Sequence, residues 1–291
     1  MDIYSPLQQI QFEMPSGIEL YIKRDDLIHP YISGNKWRKL KYLIQTAQLQ
    51  NKKTLVTFGG AYSNHLLATA CAAALKGFKS LGFVRGEELD ASNHTLFLCE
   101  QFGMKIIFVD RISYLNKAAL FEKYFSNNND AFFIDEGGRS DEAILGCSEL
   151  IDELPQTFDH IVLAAGTGST FCGILKGCAK HNLSTKVHAI VVHKGTPEIV
   201  DYTIAKTSYA HYSIQDDYHF GAYAKTSPDL ISFMKKFQQA TGILLDPVYT
   251  AKALYALYDL IQQGVIQAKE KVLFIHTGGL IGNLGMKDKL Q

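Results

Sequence analysis

Leu55-Val56-Thr57-Phe58-Gly59-Gly60-Ala61-Tyr62-Ser63-Asn64-His65 decides the fold class of this 291-residue chain. It reads as an apolar run, a diglycine turn and the start of a helix. An apolar run of this length without polar alternation is a strand covered on both faces, as strands of parallel sheets are. The glycines permit a tight turn and close approach of a ligand, and Ser63 and Asn64 are good N-cap residues. Similar runs recur at Leu81-Gly82-Phe83-Val84, Ile106-Ile107-Phe108-Val109, Phe132-Phe133-Ile134 and Ile161-Val162-Leu163-Ala164, then over residues 187–192 and at Val272-Leu273-Phe274-Ile275. Helix-length segments lie between them, among them residues 63–76, 93–102 and 141–154. Such alternation predicts an α/β protein with mainly parallel sheets, doubly wound by helices.

Seven or more strands exceed one small sheet, so two α/β lobes are expected. The first four strands make a compact lobe over residues 51–150. Residues 1–50 with 151–291 make the larger one, and the active site falls in the cleft between them. No Pro/Gly/Ser-rich linker separates the two.

Composition narrows the function. Twenty-nine basic residues balance 29 acidic ones, which leaves no electrostatic footprint for nucleic acid or an anionic membrane. An anionic ligand must be held by a local site. The five cysteines (Cys71, Cys99, Cys147, Cys172, Cys178) show no CxxC pair and no metal-ligand spacing. Buried, reduced thiols are expected, and no metal. No apolar run approaches the roughly 20 residues that span a bilayer. The start, Met1-Asp2-Ile3-Tyr4-Ser5-Pro6, shows no basic region followed by an apolar stretch, so a cytoplasmic protein without a signal peptide is expected.

Chemistry concentrates in four further segments. In Ser33-Gly34-Asn35-Lys36-Trp37-Arg38-Lys39-Leu40, turn residues precede a helix predicted over 37–50. Lys36 then sits where the helix dipole disfavours a cation and lowers an amine pKa, as a Schiff-base lysine requires. A plain basic helix start, with Lys39 and Lys41 beside it, also fits this segment. Ala165-Gly166-Thr167-Gly168-Ser169-Thr170 follows a strand and opens a helix, which makes a phosphate cup. The chain lacks GxxxxGK[ST], and GxGxxG in its first βαβ unit, so a small monophosphate is favoured over a nucleotide. Leu273-Phe274-Ile275-His276-Thr277-Gly278-Gly279 ends a late strand, where open α/β sheets bind ligands. Leu245-Asp246-Pro247-Val248-Tyr249-Thr250 opens a helix and presents an aromatic ring.

The order of these motifs resembles the 1-aminocyclopropane-1-carboxylate deaminase and D-cysteine desulfhydrase family of pyridoxal-phosphate enzymes, which have the tryptophan synthase β-subunit-like fold. The resemblance runs from Ile22-Lys23-Arg24-Asp25-Asp26-Leu27 to Gly279. It implies pyridoxal 5'-phosphate bound in the larger lobe, a small amino-acid substrate, deamination or α,β-elimination to ammonia and a 2-oxo acid, and a homodimer. It also implies residue roles. Lys36 bonds the cofactor and shuttles protons. Asn64 meets the pyridoxal hydroxyl, and Gly166, Thr167, Gly168, Ser169 and Thr170 cradle the phosphate. Ser63 faces the substrate carboxylate. Tyr249 and Tyr223 flank the ring, and Thr277 meets its nitrogen. The family's deaminases resemble one another in a glutamate after the tyrosine of DPVY, where this chain has Thr250. Tyr62 stands where the family usually has Gln. A non-catalytic phosphate-ligand-binding protein on the same fold needs neither Lys36 nor Ser63, and an NAD-dependent oxidoreductase lacks its fingerprint.

Overall fold

The computed structural model describes residues 4–87 and 93–290. Its strands are β1 (Leu7–Gln9), β2 (Glu19–Lys23), β3 (Thr54–Gly59), β4 (Lys79–Arg85), β5 (Met104–Val109), β6 (Ala131–Phe133), β7 (His160–Ala165), β8 (Lys186–Val191), β9 (Tyr212–Gln215) and β10 (Lys271–Ile275). The main helices are α1 (Asn35–Leu49), α2 (Asn64–Lys76), α3 (His94–Gln101), α4 (Lys117–Phe125), α5 (Asp141–Asp152), α6 (Ser169–Lys180), α7 (Thr196–Lys206), α8 (Pro228–Thr241) and α9 (Thr250–Gln262). Every apolar run singled out above lies in a strand or runs on from its end, and β7 is buried at all its positions. The additional strands β1 and β9 are short and partly exposed, so they carry no continuous apolar signal.

Two sheets result. Six strands run in the order β1-β2-β10-β7-β8-β9, and four in the order β5-β4-β3-β6. All pairs are parallel except β1 with β2. The chain steps outward from β3 to β4 to β5, then returns to the other side of β3 with β6. It does the same from β7 to β8 to β9, returning with β10. Each sheet therefore has one switch point, and the loops leaving β3 and β6, or β7 and β10, diverge there to leave a crevice.

Alternate residues of the strands feed opposite faces. Val162, Ile190 and Phe274 pack with Phe237, Leu254 and Leu257 of α8 and α9. Leu163, Val187 and Leu273 pack with Ile174 and Leu175 of α6. In the smaller sheet, Leu55 packs under Leu40, Leu43 and Ile44 of α1, together with Ala68 and Cys71 of α2. Val56, Phe58 and Phe83 face Leu120 of α4. Helix α1 thus shares its core with the four-stranded sheet, while α5 packs between it and α6 of the six-stranded one.

A buried ion network fixes α1 from behind. The Arg38 guanidinium donates to both Asp25 oxygens at 2.7 Å, and to Glu153 at 2.7 and 2.9 Å. Lys23 pairs with Glu153 at 2.7 Å. All five cysteines are buried and free. No helix among the described residues is long and apolar enough to cross a membrane.

Candidate functional site

The loops leaving β3, β6, β7 and β10 meet the start of α1 around a cleft of about 800 Å³ between the two sheets. The start of α1 is fixed by contact with the β10 loop. Gly34 has φ 64°, and a Cβ there would lie 1.8 Å from the Thr277 carbonyl oxygen, so only glycine permits the approach. Asn35 then donates its backbone N–H to Thr277 O at 3.3 Å and its side-chain amide to Thr170 Oγ1 at 2.8 Å. Three loops are joined by that one residue. Helix α1 begins two residues earlier than the sequence pattern predicts, which places Lys36 inside its first turn.

Lys36 lines the cleft, and its Nζ donates to Asn35 Oδ1 at 2.9 Å. Burial, and after it the neighbouring Lys39 ammonium, lower its pKa to about 7. A substantial share of such an amine is unprotonated at neutral pH, which makes it a competent nucleophile. Lys39, one helical turn on, is buried, and its Nζ donates to Gly137 O at 3.0 Å and to Thr167 Oγ1 at 3.3 Å. Burial lowers its pKa too. Both ammonium groups therefore lean on neutral partners.

Across from them is the loop between β7 and α6. Gly166, Thr167, Gly168 and Thr170 line the cleft. Gly168 has φ 87° and lies under the Tyr202 ring, 3.0 Å from where its Cβ would be. The first-turn amides of α6 have no partner within the helix. Ser169 is wholly buried and does not line the cleft; its Oγ has no hydrogen-bond partner among the described residues.

Ser63 and Asn64 line the cleft from the smaller sheet. Ser63 caps α2, its Oγ accepting from the N–H groups of His65 and Leu66 at 3.2 and 3.3 Å. Tyr249 and Tyr223 close the opposite side. Their rings meet edge to face at 6.1 Å, and the Tyr249 hydroxyl donates to that of Tyr223 at 3.3 Å. Burial raises both phenol pKa values. Thr277 lines the cleft, whereas Thr250 does not. Thr250 is fully buried, with its hydroxyl bonded to Asp246, so it is no candidate for contact with a cofactor ring.

The sequence reading left other cleft residues without a role. Lys39 had a legible signal, since three residues after Lys36 is the same helix face. His65 is buried, bonds Thr57 Oγ1 at 2.9 Å, and is held neutral by burial and by the two lysines. His193 touches the Gly166 carbonyl at 3.1 Å. Arg85 stands at the end of β4, exposed, its guanidinium 5.3 Å from the Tyr114 ring centre. Nothing in local sequence pattern marks these last three.

An amine of lowered pKa beside a loop rich in hydrogen-bond donors, at the carboxyl ends of two mainly parallel sheets, is a site suited to a phosphorylated carbonyl compound. The chain belongs to the pyridoxal-phosphate dependent enzyme family, whose model matches residues 4–278. It is 35% identical to a putative 1-aminocyclopropane-1-carboxylate deaminase of Pyrococcus abyssi, over 96% of this chain and 90% of that protein. It is 31% identical to the bifunctional D-cysteine desulfhydrase/1-aminocyclopropane-1-carboxylate deaminase, mitochondrial, of Arabidopsis thaliana, over 96% of this chain and 76% of that protein. The crystal structure of an ACC deaminase homologue superposes with a TM-score of 0.85 at 31% identity, covering 98% of this chain and 92% of that one. Two doubly wound, mainly parallel sheets are thus the fold of this family, and pyridoxal phosphate is the cofactor.

The residues fit that cofactor. The Thr167 and Thr170 hydroxyls, the first-turn amides of α6 and the Lys39 ammonium converge on one loop, which is a donor set for a phosphate dianion. The orphan Ser169 hydroxyl lies on the same turn.

Proposed function

We propose that the cleft carries out α,β-elimination on D-cysteine or a related β-substituted amino acid, which with one water gives ammonia, a 2-oxo acid and the leaving group as hydrogen sulfide or a thiol. Bound to Lys36, with its phosphate at residues 166–170, pyridoxal phosphate supplies the electron sink for a carbanion at the substrate Cα. The Lys36 Nζ would take the proton from Cα and, as the Cβ–S bond breaks, would be the protonated amine from which the departing sulfur takes a proton. Ser63 and the first amides of α2 bind the substrate carboxylate, and Asn64 holds the ring hydroxyl. Tyr223 and Tyr249 orient the substrate side chain and keep water from it.

One observation carries the preference for a thiol leaving group. The position at which the deaminases it resembles carry glutamate is Thr250, which points away from the cleft into Asp246. Thr277 is then the hydroxyl left for the ring nitrogen, and it cannot give a pyridinium the charge-assisted bond that a carboxylate gives. Opening a cyclopropane, which has no heteroatom leaving group, depends on that strong electron withdrawal; expulsion of a thiol does not. The second reading is 1-aminocyclopropane-1-carboxylate deamination, supported by the name of the Pyrococcus relative. Measuring kcat/KM for both compounds decides: a clear preference for the cyclopropane sinks the first reading. A cytoplasmic homodimer belongs to the same proposal. The homodimer rests on the family resemblance and the location on the lack of a bilayer-spanning apolar run, and sedimentation velocity and cell fractionation test them.

A further inference from the structure

The segment that carries Tyr223 has no strand or long helix to hold it. It lies between β9 and α8, and Phe220, Gly221 and Ala224 have φ of 55°, 97° and 55°. Two of these are not glycine, and backbone in that region persists only where its surroundings over-determine it. Yet the Tyr223 hydroxyl is set 3.3 Å from that of Tyr249. Something fixes this loop.

Lys252 lies in the first turn of α9, three residues after Tyr249, and its side chain is fully buried. Its ammonium donates to Val192 O at 3.2 Å, to His219 O at 3.0 Å and to Ala222 O at 3.3 Å. A lysine has three N–H donors, so these carbonyls occupy all of them. Val192 directly follows β8, so one acceptor belongs to the sheet and the other two belong to the loop, Ala222 being the neighbour of Tyr223. The ammonium also stands 5.8 Å from the centre of the Phe220 ring, at one of the positive-φ residues. No carboxylate is among its hydrogen-bond partners. Burial lowers its pKa to about 8, which reports the strain of holding a cation there. A position needing only bulk is filled better by an apolar side chain of the same volume. Charge at this place serves the three carbonyls.

We propose that Lys252 is a positioning residue of the cleft, whose ammonium pins the loop to the sheet and to α9 so that Tyr223 is held against Tyr249 for the reaction. The inference rests on the elimination reading above for its kinetic part only. The test uses the cofactor-loaded full chain and compares wild type, Lys252→Met, Tyr223→Phe and the double variant. In Lys252→Met, amide hydrogen exchange over residues 216–226 is expected to accelerate about tenfold or more, while peptides of α2 and β7 keep their wild-type rates. With D-cysteine as the probe, kcat is expected to fall about tenfold or more in each single variant, and the double variant to be no slower than the slower single, because both remove one function. Unchanged exchange in the loop overturns the proposal, as do losses that multiply in the double variant. A wild type inert toward D-cysteine removes the elimination reading but leaves the exchange result decisive here. Should Lys252→Met not fold, Lys252→Gln, which keeps two N–H donors, enters the same cycle. Failure of both to fold assigns Lys252 to general stability and overturns the proposal.

Discussion

Helix α1 carries charge on two faces, and the two are treated in opposite ways. On the face turned away from the cleft, Arg38 reaches Asp25 and Glu153, and Lys23 shares the second carboxylate. On the face turned toward the cleft, Lys36 and Lys39 meet only an amide oxygen, a carbonyl and a hydroxyl. The two faces are separated by a single turn of helix. Charge that serves the fold is neutralised within the protein, because a buried ion without a partner is strongly unfavourable. On the cleft side the two lysines are left without a counter-ion, and in the proposed reaction a dianionic phosphate would supply it. The lowered pKa of Lys36 and the paired guanidinium of Arg38 are two outcomes of the same burial.

Replacing charges on each face should therefore have opposite signatures. The largest effect is expected for Lys36→Ala. Turnover should fall by about a thousandfold or more while urea unfolding of the cofactor-free protein shows no loss of stability, since only the neutral Asn35 Oδ1 loses a donor and a disfavoured buried amine is removed. A midpoint clearly below that of the wild type would mean that Lys36 supports the fold after all.

Arg38→Met should do the reverse. Buried Asp25 loses its cation and Glu153 keeps only Lys23, and the expected cost is about 3–5 kcal/mol, read as a lower urea midpoint at constant slope. A loss below about 1 kcal/mol would erase the contrast between the faces.

Lys39→Met is the intermediate case. It removes one charge-assisted contact to the phosphate, about 1.5–3 kcal/mol, so cofactor affinity should weaken some tenfold to hundredfold. Stability without cofactor should not drop. Equilibrium dialysis against pyridoxal phosphate measures the first, and thermal unfolding the second.

The remaining effect is one of pH. Without cofactor, the Lys36 pKa is about 7 in the folded protein against 10.5 for the free side chain. Between those values the unfolded chain binds more protons, so stability should rise with pH across about 7 to 10.5. Lys39, also lowered by burial, acts in the same direction. The slope should be shallower in Lys36→Ala than in the wild type. Identical slopes would show that Lys36 is not held in a charge-disfavouring site.

How far these contrasts were legible in the sequence depends on what each residue leans on. The unit from Leu55 to His65 carried its strand, turn and cap in consecutive positions, and the structure keeps all three as β3, a glycine turn and α2. Lys36 and the 166–170 loop were found for the same reason, since turn and helix start are local events. Short edge strands such as Leu7–Gln9 and Tyr212–Gln215 were not, because half-exposed strands need no apolar run. Nor was the partner of Arg38, because pairing with Asp25 and Glu153 brings together three distant segments. The direction of Thr250 was not legible either, because it is set by Asp246 capping the turn before α9, and sequence spacing alone does not give the direction of a side chain at a helix start. Lys252 carries no local signal, because its partners Val192, His219 and Ala222 come from distant segments.

The most direct test concerns which amine holds the cofactor. The protein is loaded with pyridoxal phosphate, reduced with borohydride, digested and mapped by mass spectrometry. The adduct is expected on Lys36, with the wild-type protein yellow before reduction and the Lys36→Ala protein not. An adduct on Lys39, or on any lysine other than Lys36, contradicts the assignment of the unpartnered face of α1 as the reactive one.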